Sequence, residues 1–118
     1  LSQSTRSQRE IASRLQSISL SLKIENDETL VPSVIARLEQ AACEVEFCDE
    51  MLWMQIAMAL DEALVNAIFH GNLEVSSELR QVDDGKAFVD MVNLRKTQSP
   101  YKERSVTVEM RVDREKAT

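Results

Sequence analysis

The chain has 118 residues, 43% of them hydrophobic and 29% charged, and its formal net charge is −6 at pH 7. Such a length and composition are typical of one globular domain with a modest core, and the acidic balance argues against non-specific binding to nucleic acid or to anionic membranes. No apolar run of about 18 residues predicts a membrane span, and the polar N-terminus lacks the apolar core of a secretory signal. We therefore expect a cytoplasmic protein whose partners include neither nucleic acid nor a membrane.

Residues 1–16 are mostly polar. The spacing of Ile11, Leu15 and Ile18 predicts a short helix over residues 4–15. Since the chain begins with Leu rather than Met, we expect it to be a piece of a longer protein. We interpret residues 1–16 as a linker or as the tail of an upstream helix.

A strand and a helix are predicted next. Between residues 17 and 25, aliphatic side chains alternate with serine, lysine and glutamate, which predicts a strand with one buried face. Asp27 suits the approach to a helix, Pro32 is accepted in a first helical turn, and an apolar stripe at helical spacing extends to Val45.

Two cysteines, Cys43 and Cys48, lie around the end of this helix. They are too few for a disulfide framework, and with a single histidine in the chain they do not complete a four-ligand zinc site. We interpret them as reduced, structural thiols of a cytosolic protein.

The longest predicted helix begins after Asp49, a suitable N-cap, and ends at Gly71 or Asn72. It is apolar on most sides, so we expect it to lie centrally, with neighbours packed on several of its faces. Trp53 and the five methionines of the chain are interpreted as core residues rather than as the lining of a ligand pocket.

Beyond this helix the pattern is weaker. Two helical pieces are predicted at about residues 75–82 and 86–97, separated by Asp83, Asp84 and Gly85, and we interpret the two aspartates as a solvated acidic turn rather than as a metal site. From Val106 onward, apolar and polar side chains alternate again, which predicts a second strand. The polar residues 113–116 are predicted to form the turn that ends it.

Four polar side chains share one side of the apolar helix. At 100° per residue, with Gln55 set at 0°, Glu62 lies at about −20°, Asn66 at about +20° and His70 at about +60°. This stripe can be the solvent edge of a buried helix, but such an edge usually carries Lys and Glu pairs, and an exposed mid-helix Asn is not favoured. The carboxylate of Glu62 and the amide oxygen of Asn66 suit Mg²⁺ or an attacking water, and His70 suits an anionic oxygen, so the set fits nucleotide phosphates.

The segment LDEALVNAIFHG resembles the N-box of the histidine-kinase-like ATPase superfamily, which includes gyrase and two-component kinases. Its Glu-x-x-x-Asn followed by Ala-x-x-His-Gly is most similar to the anti-sigma-factor serine-kinase branch. The resemblance covers residues 17–72 and, by position, the strand at 104–118. It implies an α+β two-layer sandwich with a mixed sheet and helices packed on one face. Residues 17–118 would form its N-terminal part, with a helical insert at about 73–103.

The resemblance also implies roles and ligands. Glu62 would be the catalytic general base, Asn66 would bind Mg²⁺ and through it ATP, and His70 would bind the nucleotide near the phosphate-covering loop. ATP and Mg²⁺ would be the cofactors. The phosphate would pass to a Ser of an anti-anti-sigma-type protein, and a sigma factor is the other expected partner.

The chain departs from this family in its glycines. An Asp-x-Gly-x-Gly motif, whose Asp reads adenine, and a glycine-rich lid are both missing, because Gly71 and Gly85 are the only glycines. We therefore expect the chain alone to be inactive and not to bind ATP appreciably. Two strands without further sheet partners would leave open edges, so we also expect a homodimer, formed by strand pairing or by exchange of the insert helices.

The leading hypothesis is thus a piece of a regulatory kinase domain from bacterial signalling. A non-catalytic module of the same fold, used to hold a partner or to dimerise, is the alternative. A histidine-kinase output domain is a third hypothesis, but no phospho-acceptor histidine precedes the N-box, since His70 is the only one. An Asp-x-Gly-x-Gly sequence after Thr118 would favour the kinase over the module.

Overall fold

The computed structural model describes residues 3–114 and has a mixed α+β architecture, as the sequence predicts. Its helices are α1 (Gln3–Ala12), α2 (Val31–Glu44), α3 (Glu50–Asn66) and α4 (Lys86–Arg95), and its strands are β1 (Ser17–Ile24) and β2 (Val106–Asp113). Short 3-10 turns cover Glu28–Leu30, Ser77–Gln81, Asp83–Gly85 and Tyr101–Glu103, while Ala67–Asn72 continues α3 as a π-helix. The predicted polar closure of the second strand at 113–116 lies partly outside the described residues.

The two strands form an antiparallel pair in which Ser17 lies opposite Asp113 and Ile24 lies opposite Val106. Because side chains alternate along each strand, the aliphatic ones share one face, which packs against the helices, and the serines share the other. Helices on one face of the sheet are therefore observed. No third strand joins the pair within residues 3–114, so the mixed sheet stays a prediction.

The core fills the space between the inner face of the sheet and the helices. α2 packs on β1, α3 packs on α2, and the π-helical end of α3 meets β2. The predicted insert belongs to this core, because α4 buries Phe88 and Val92, and Phe69 meets Phe88 edge to face at 5.3 Å between ring centroids. The largest fully buried side chains are Leu38, Ile68, Leu73, Val31, Val45 and Val75.

The start of α3 lies where the sequence predicts it. The Asp49 carboxylate accepts a hydrogen bond from the backbone N–H of Leu52 at 2.9 Å, which satisfies one of the free donors of the first turn. Trp53 is buried, and its indole N–H donates to the Phe47 carbonyl at 2.8 Å. The interpretation of Trp53 as a core residue is confirmed.

Two other expectations about α3 are wrong. The helix is not packed on several faces, and Met51, Met54 and Met58 are not core residues, because their side chains are 76%, 68% and 74% exposed. Met91 and Met110 are half-buried against the core. The physical reason is that α2 covers one side of α3, whereas the opposite side faces solvent in the part of the chain that the structure describes.

By length and composition alone, Glu50–Asn72 is long and apolar enough to cross a membrane, with a mean hydropathy of 1.3. This is weak evidence, since the core helices of globular domains pass the same criterion. Asp61 and Glu62 interrupt the apolar run near its middle, and only 17% of the most apolar window is buried. The exposed apolar surface of this helix therefore needs another explanation.

Cys43 and Cys48 are free thiols, but both are exposed, so they are not buried structural residues. Desolvation, the hydrogen bond with Cys48 and the nearby charge of Glu39 raise the pKa of the Cys43 thiol to about 11. The raised pKa favours the protonated thiol at neutral pH.

Candidate functional site

The predicted polar stripe of α3 faces solvent. Gln55, Glu62 and Asn66 are all exposed, and Glu62 and Asn66 lie one helical turn apart. Within residues 3–114, neither the Glu62 carboxylate nor the Asn66 amide has a hydrogen-bond or ion-pair partner. Both oxygens are therefore available to a common ligand. Met51, Met54 and Met58 are exposed as well, so this whole side of α3 faces solvent, and the interpretation of the stripe as a solvated face stays open.

His70 has a different environment. Its ring is half-buried, lies 6.2 Å from the Phe88 ring centroid, and its Nδ1 is 2.6 Å from the Val75 carbonyl oxygen. Because a carbonyl only accepts, Nδ1 carries the proton, and Nε2 is the atom that remains for a ligand. The backbone thus orients His70, whereas Glu62 and Asn66 are held by the helix alone.

The helix widens directly after Asn66. The Leu73 N–H donates to the Ile68 carbonyl at 2.9 Å, a spacing of five residues, and Ile68 itself is fully buried. Such a wide turn is common where an α-helix ends. Gly71 lies within this turn and not beyond the helix end; a Cβ there would meet only the Asn66 carbonyl at 3.8 Å, an ordinary contact, so space does not demand glycine.

A polar network that sequence reasoning missed anchors the end of this helix. Asn26, only 7% exposed, donates through Nδ2 to the carbonyls of Tyr101 and Arg104 at 3.1 and 3.0 Å. Its Oδ1 accepts from Asn72 Nδ2 at 2.7 Å, and the same Asn72 nitrogen donates to the Ser105 carbonyl at 2.9 Å. The network joins the end of β1, the π-helical turn and the start of β2, and so fixes the helix end relative to the sheet.

Arginines extend the network. Arg104 donates to the Asn72 carbonyl at 2.7 Å and forms an ion pair with Glu74 at 2.6 Å, while Arg95 donates to the backbone carbonyls of Leu73 and Glu74. In the sequence, Asn26 appears as an ordinary turn residue after a strand. Its partners lie 46 to 78 residues away, and no local pattern indicates such contacts.

Replacing Asn26 with alanine should destabilise the domain by about 1–3 kcal/mol, because it leaves the half-buried carbonyls of Tyr101 and Arg104 and a side-chain N–H of Asn72 without this partner. Urea unfolding followed by Trp53 fluorescence measures the change. Asn93→Ala, at an exposed position of α4, is the matched control and should change stability by less than about 0.5 kcal/mol. Equal effects of the two substitutions would show that the network does not stabilise the fold.

A polar cavity of about 310 Å³ lies near this network, lined by Glu25, Asn26, Asp27, Lys96 and Lys102. Lys96 forms an ion pair with Glu28 at 2.6 Å, so part of its charge is already neutralised. The cavity does not include any of the three predicted site residues. The structure therefore does not bring these lysines to Glu62, Asn66 and His70.

The described residues 3–114 do not form a closed metal centre. Among residues 3–114, no three His, Cys, Asp or Glu side chains come close enough together to hold a metal ion. Asp83 and Asp84 are exposed and adopt left-handed backbone conformations, as a solvated turn does. The Glu62 and Asn66 oxygens are hard donors that suit Mg²⁺ only when phosphate and water complete its six ligands. No protein-family model, no curated protein and no solved structure matches the chain.

Proposed function

We propose that the chain is part of an ATP-dependent regulatory kinase domain with the two-layer histidine-kinase-like ATPase fold, in a cytoplasmic protein of bacterial signalling. The observation that carries this proposal is the pair formed by Glu62 and Asn66, exposed, unpartnered and one turn apart where α3 passes into a π-helix. Carboxylate and amide oxygens at this spacing suit the Mg²⁺ and the proton transfer of a phosphoryl-transfer site. Helices on one face of a sheet agree with the proposed fold.

Each side chain has a role in this proposal. The Asn66 amide oxygen would hold Mg²⁺, which neutralises phosphate charge when it is bound. The Glu62 carboxylate would accept the proton of the Ser or Thr hydroxyl that attacks the phosphate, and its exposure leaves it open to a protein substrate. His70 would donate from Nε2 to a phosphate oxygen when the ring carries both protons, because the Val75 carbonyl accepts the Nδ1 proton.

The proposed partners are an anti-anti-sigma-type protein that supplies the acceptor Ser, a sigma factor, and a second copy of the chain. The dimer is supported by the outer edges of β1 and β2, which have no partner strand within residues 3–114. Light scattering at tens of micromolar should give twice the chain mass of 13.4 kDa. A monomer at that concentration would contradict the dimer and leave the kinase proposal standing.

A non-catalytic interaction module is the second candidate, favoured by the scarcity of glycine for a phosphate-binding loop. The kinase would transfer phosphate from ATP to its partner, whereas the interaction module would only bind the partner. Incubating the whole gene product with labelled ATP, Mg²⁺ and a candidate acceptor should transfer phosphate to Ser or Thr if it is a kinase. Stable acceptor binding without phosphate transfer would contradict the kinase and support the module.

A further inference from the structure

The solvent side of α3 presents a methionine stripe, formed by Met51, Met54 and Met58. With Gln55 at 0°, these residues lie at about −40°, −100° and −60°, so all three fall within an arc of about 60° on the helix. Their side chains are each more than two-thirds exposed. Single exposed apolar side chains are ordinary, but three large ones on one arc form a contiguous apolar surface of the kind that binds another molecule.

A groove lies beside the methionine stripe, between α2 and α3. Its volume is about 490 Å³, and Pro32 and Ile35 of α2 face Ala57 and Met58 of α3 across it. α2 has 14 residues and is therefore about 21 Å long, enough for three to four turns of a helix laid along it. Met58 belongs to both surfaces and makes them continuous.

The charge of the groove selects its occupant. Glu39 and Asp61 line it, both exposed, and none of its lining residues is Lys or Arg. A second copy of the chain would set the same carboxylates against each other, and an anionic membrane would also be repelled. A helix with Lys or Arg beside its apolar face would instead pair with both carboxylates.

We propose that the groove and the methionine stripe bind an amphipathic, basic helix of a partner protein. Helix-in-groove recognition uses apolar anchors at i, i+3, i+4 and i+7, and methionine adapts to such anchors because its side chain is flexible and polarizable. This inference goes beyond the proposed kinase function and does not rest on it. Glu62, Asn66 and His70 do not line the groove, so either proposal can fail without the other.

A synthetic peptide tests the proposal with the 118-residue chain. The probe peptide has about 14 residues, with leucine at the anchor positions i, i+3, i+4 and i+7 and lysine at the others. The control peptide has glutamate in place of each lysine. Calorimetry at low salt should show binding of the lysine peptide at least about tenfold tighter than that of the glutamate peptide. Equal affinities would overturn the proposal.

Variants separate groove binding from non-specific attraction between a cationic peptide and an acidic protein. The double substitution Met54→Gln with Met58→Gln should weaken binding of the lysine peptide about tenfold or more, although it removes no charge. Because both side chains are exposed, circular dichroism should show an unchanged fold. Ile11→Gln, an equally exposed apolar position on α1, is the matched control and should leave the affinity unchanged. An unchanged affinity in the double variant would overturn the proposal.

Two other occupants are outcomes of the same experiment. If vesicles of phosphatidylcholine and phosphatidylglycerol bind the chain and the double variant does not bind them, the surface is a membrane contact and the proposal is wrong. If dimerisation depends on Met54 and Met58, the groove binds a second copy and the proposal is equally wrong. Charge reversal gives a positive check: Glu39→Lys with Asp61→Lys should transfer the preference to the glutamate peptide.

Discussion

Replacing Leu38 with alanine should lower the free energy of unfolding by about 2–5 kcal/mol. Leu38 lies on the inner face of α2, is only 2% exposed, and is among the largest side chains that the core buries completely. Its truncation removes buried methyl groups and leaves a cavity that the packed helices and sheet fill only partly. Because domains of this size are stable by only about 5–15 kcal/mol, the variant should lose a large part of its total stability.

Leu94→Ala provides the matched control for this prediction. Leu94 is half-exposed on α4, so the same chemical change there should cost less than about 1 kcal/mol. Urea titrations of both variants, monitored by the fluorescence of the buried Trp53, give the two free energies directly. If both substitutions lower the free energy of unfolding by the same amount, the core does not lie between α2 and the sheet.

The largest functional effect is expected at Glu62. In the whole gene product, Glu62→Gln should lower the rate of phosphate transfer by about 10²–10⁴-fold, because glutamine keeps the shape of the side chain but cannot accept a proton. Nucleotide affinity should change little, since Asn66 rather than Glu62 would hold the metal. Folding should not change, because Glu62 is exposed and has no protein partner within residues 3–114.

Single-turnover transfer of labelled phosphate measures this effect and separates it from binding. Glu78→Gln is the control, because Glu78 is also an exposed glutamate but lies in the 3-10 turn Ser77–Gln81. The Glu78→Gln variant should transfer phosphate at the same rate as the unsubstituted protein. Full activity of the Glu62 variant would remove Glu62 from the mechanism.

The elements that follow from local pattern were predicted well from the sequence. Alternation over residues 17–25 and from Val106 onward identified both strands, because one buried face imposes a period of two. The Asp49 cap fixed the start of α3, because its carboxylate satisfies a backbone donor whatever the tertiary structure is. Burial of Trp53 was also predicted.

The features that depend on distant contacts were not predicted. The exposure of Met51, Met54 and Met58 depends on which sides of α3 have neighbours, and a helix that is apolar all round does not show this in its sequence. The Asn26 network joins residues far apart in the chain. At the candidate site, the spacing of 100° per residue ceases to hold at the π-helix Ala67–Asn72, so the position of His70 does not follow from it. The contact between His70 and the Val75 carbonyl has no local sequence pattern either.

The central claim is that Glu62 as base and Asn66 as metal ligand form one half of a nucleotide site. The most direct test is an amide NMR titration of the 118-residue chain with millimolar ATP, with and without Mg²⁺. Because the adenine-reading and glycine-rich motifs are missing, we expect no appreciable affinity, only Mg²⁺-dependent shifts that do not saturate at millimolar ATP. These shifts should be confined to residues 62–71, lost in Asn66→Ala and retained in Asn93→Ala. Shifts that persist without Mg²⁺ or in the Asn66 variant, or no shifts in this segment, would contradict the central claim.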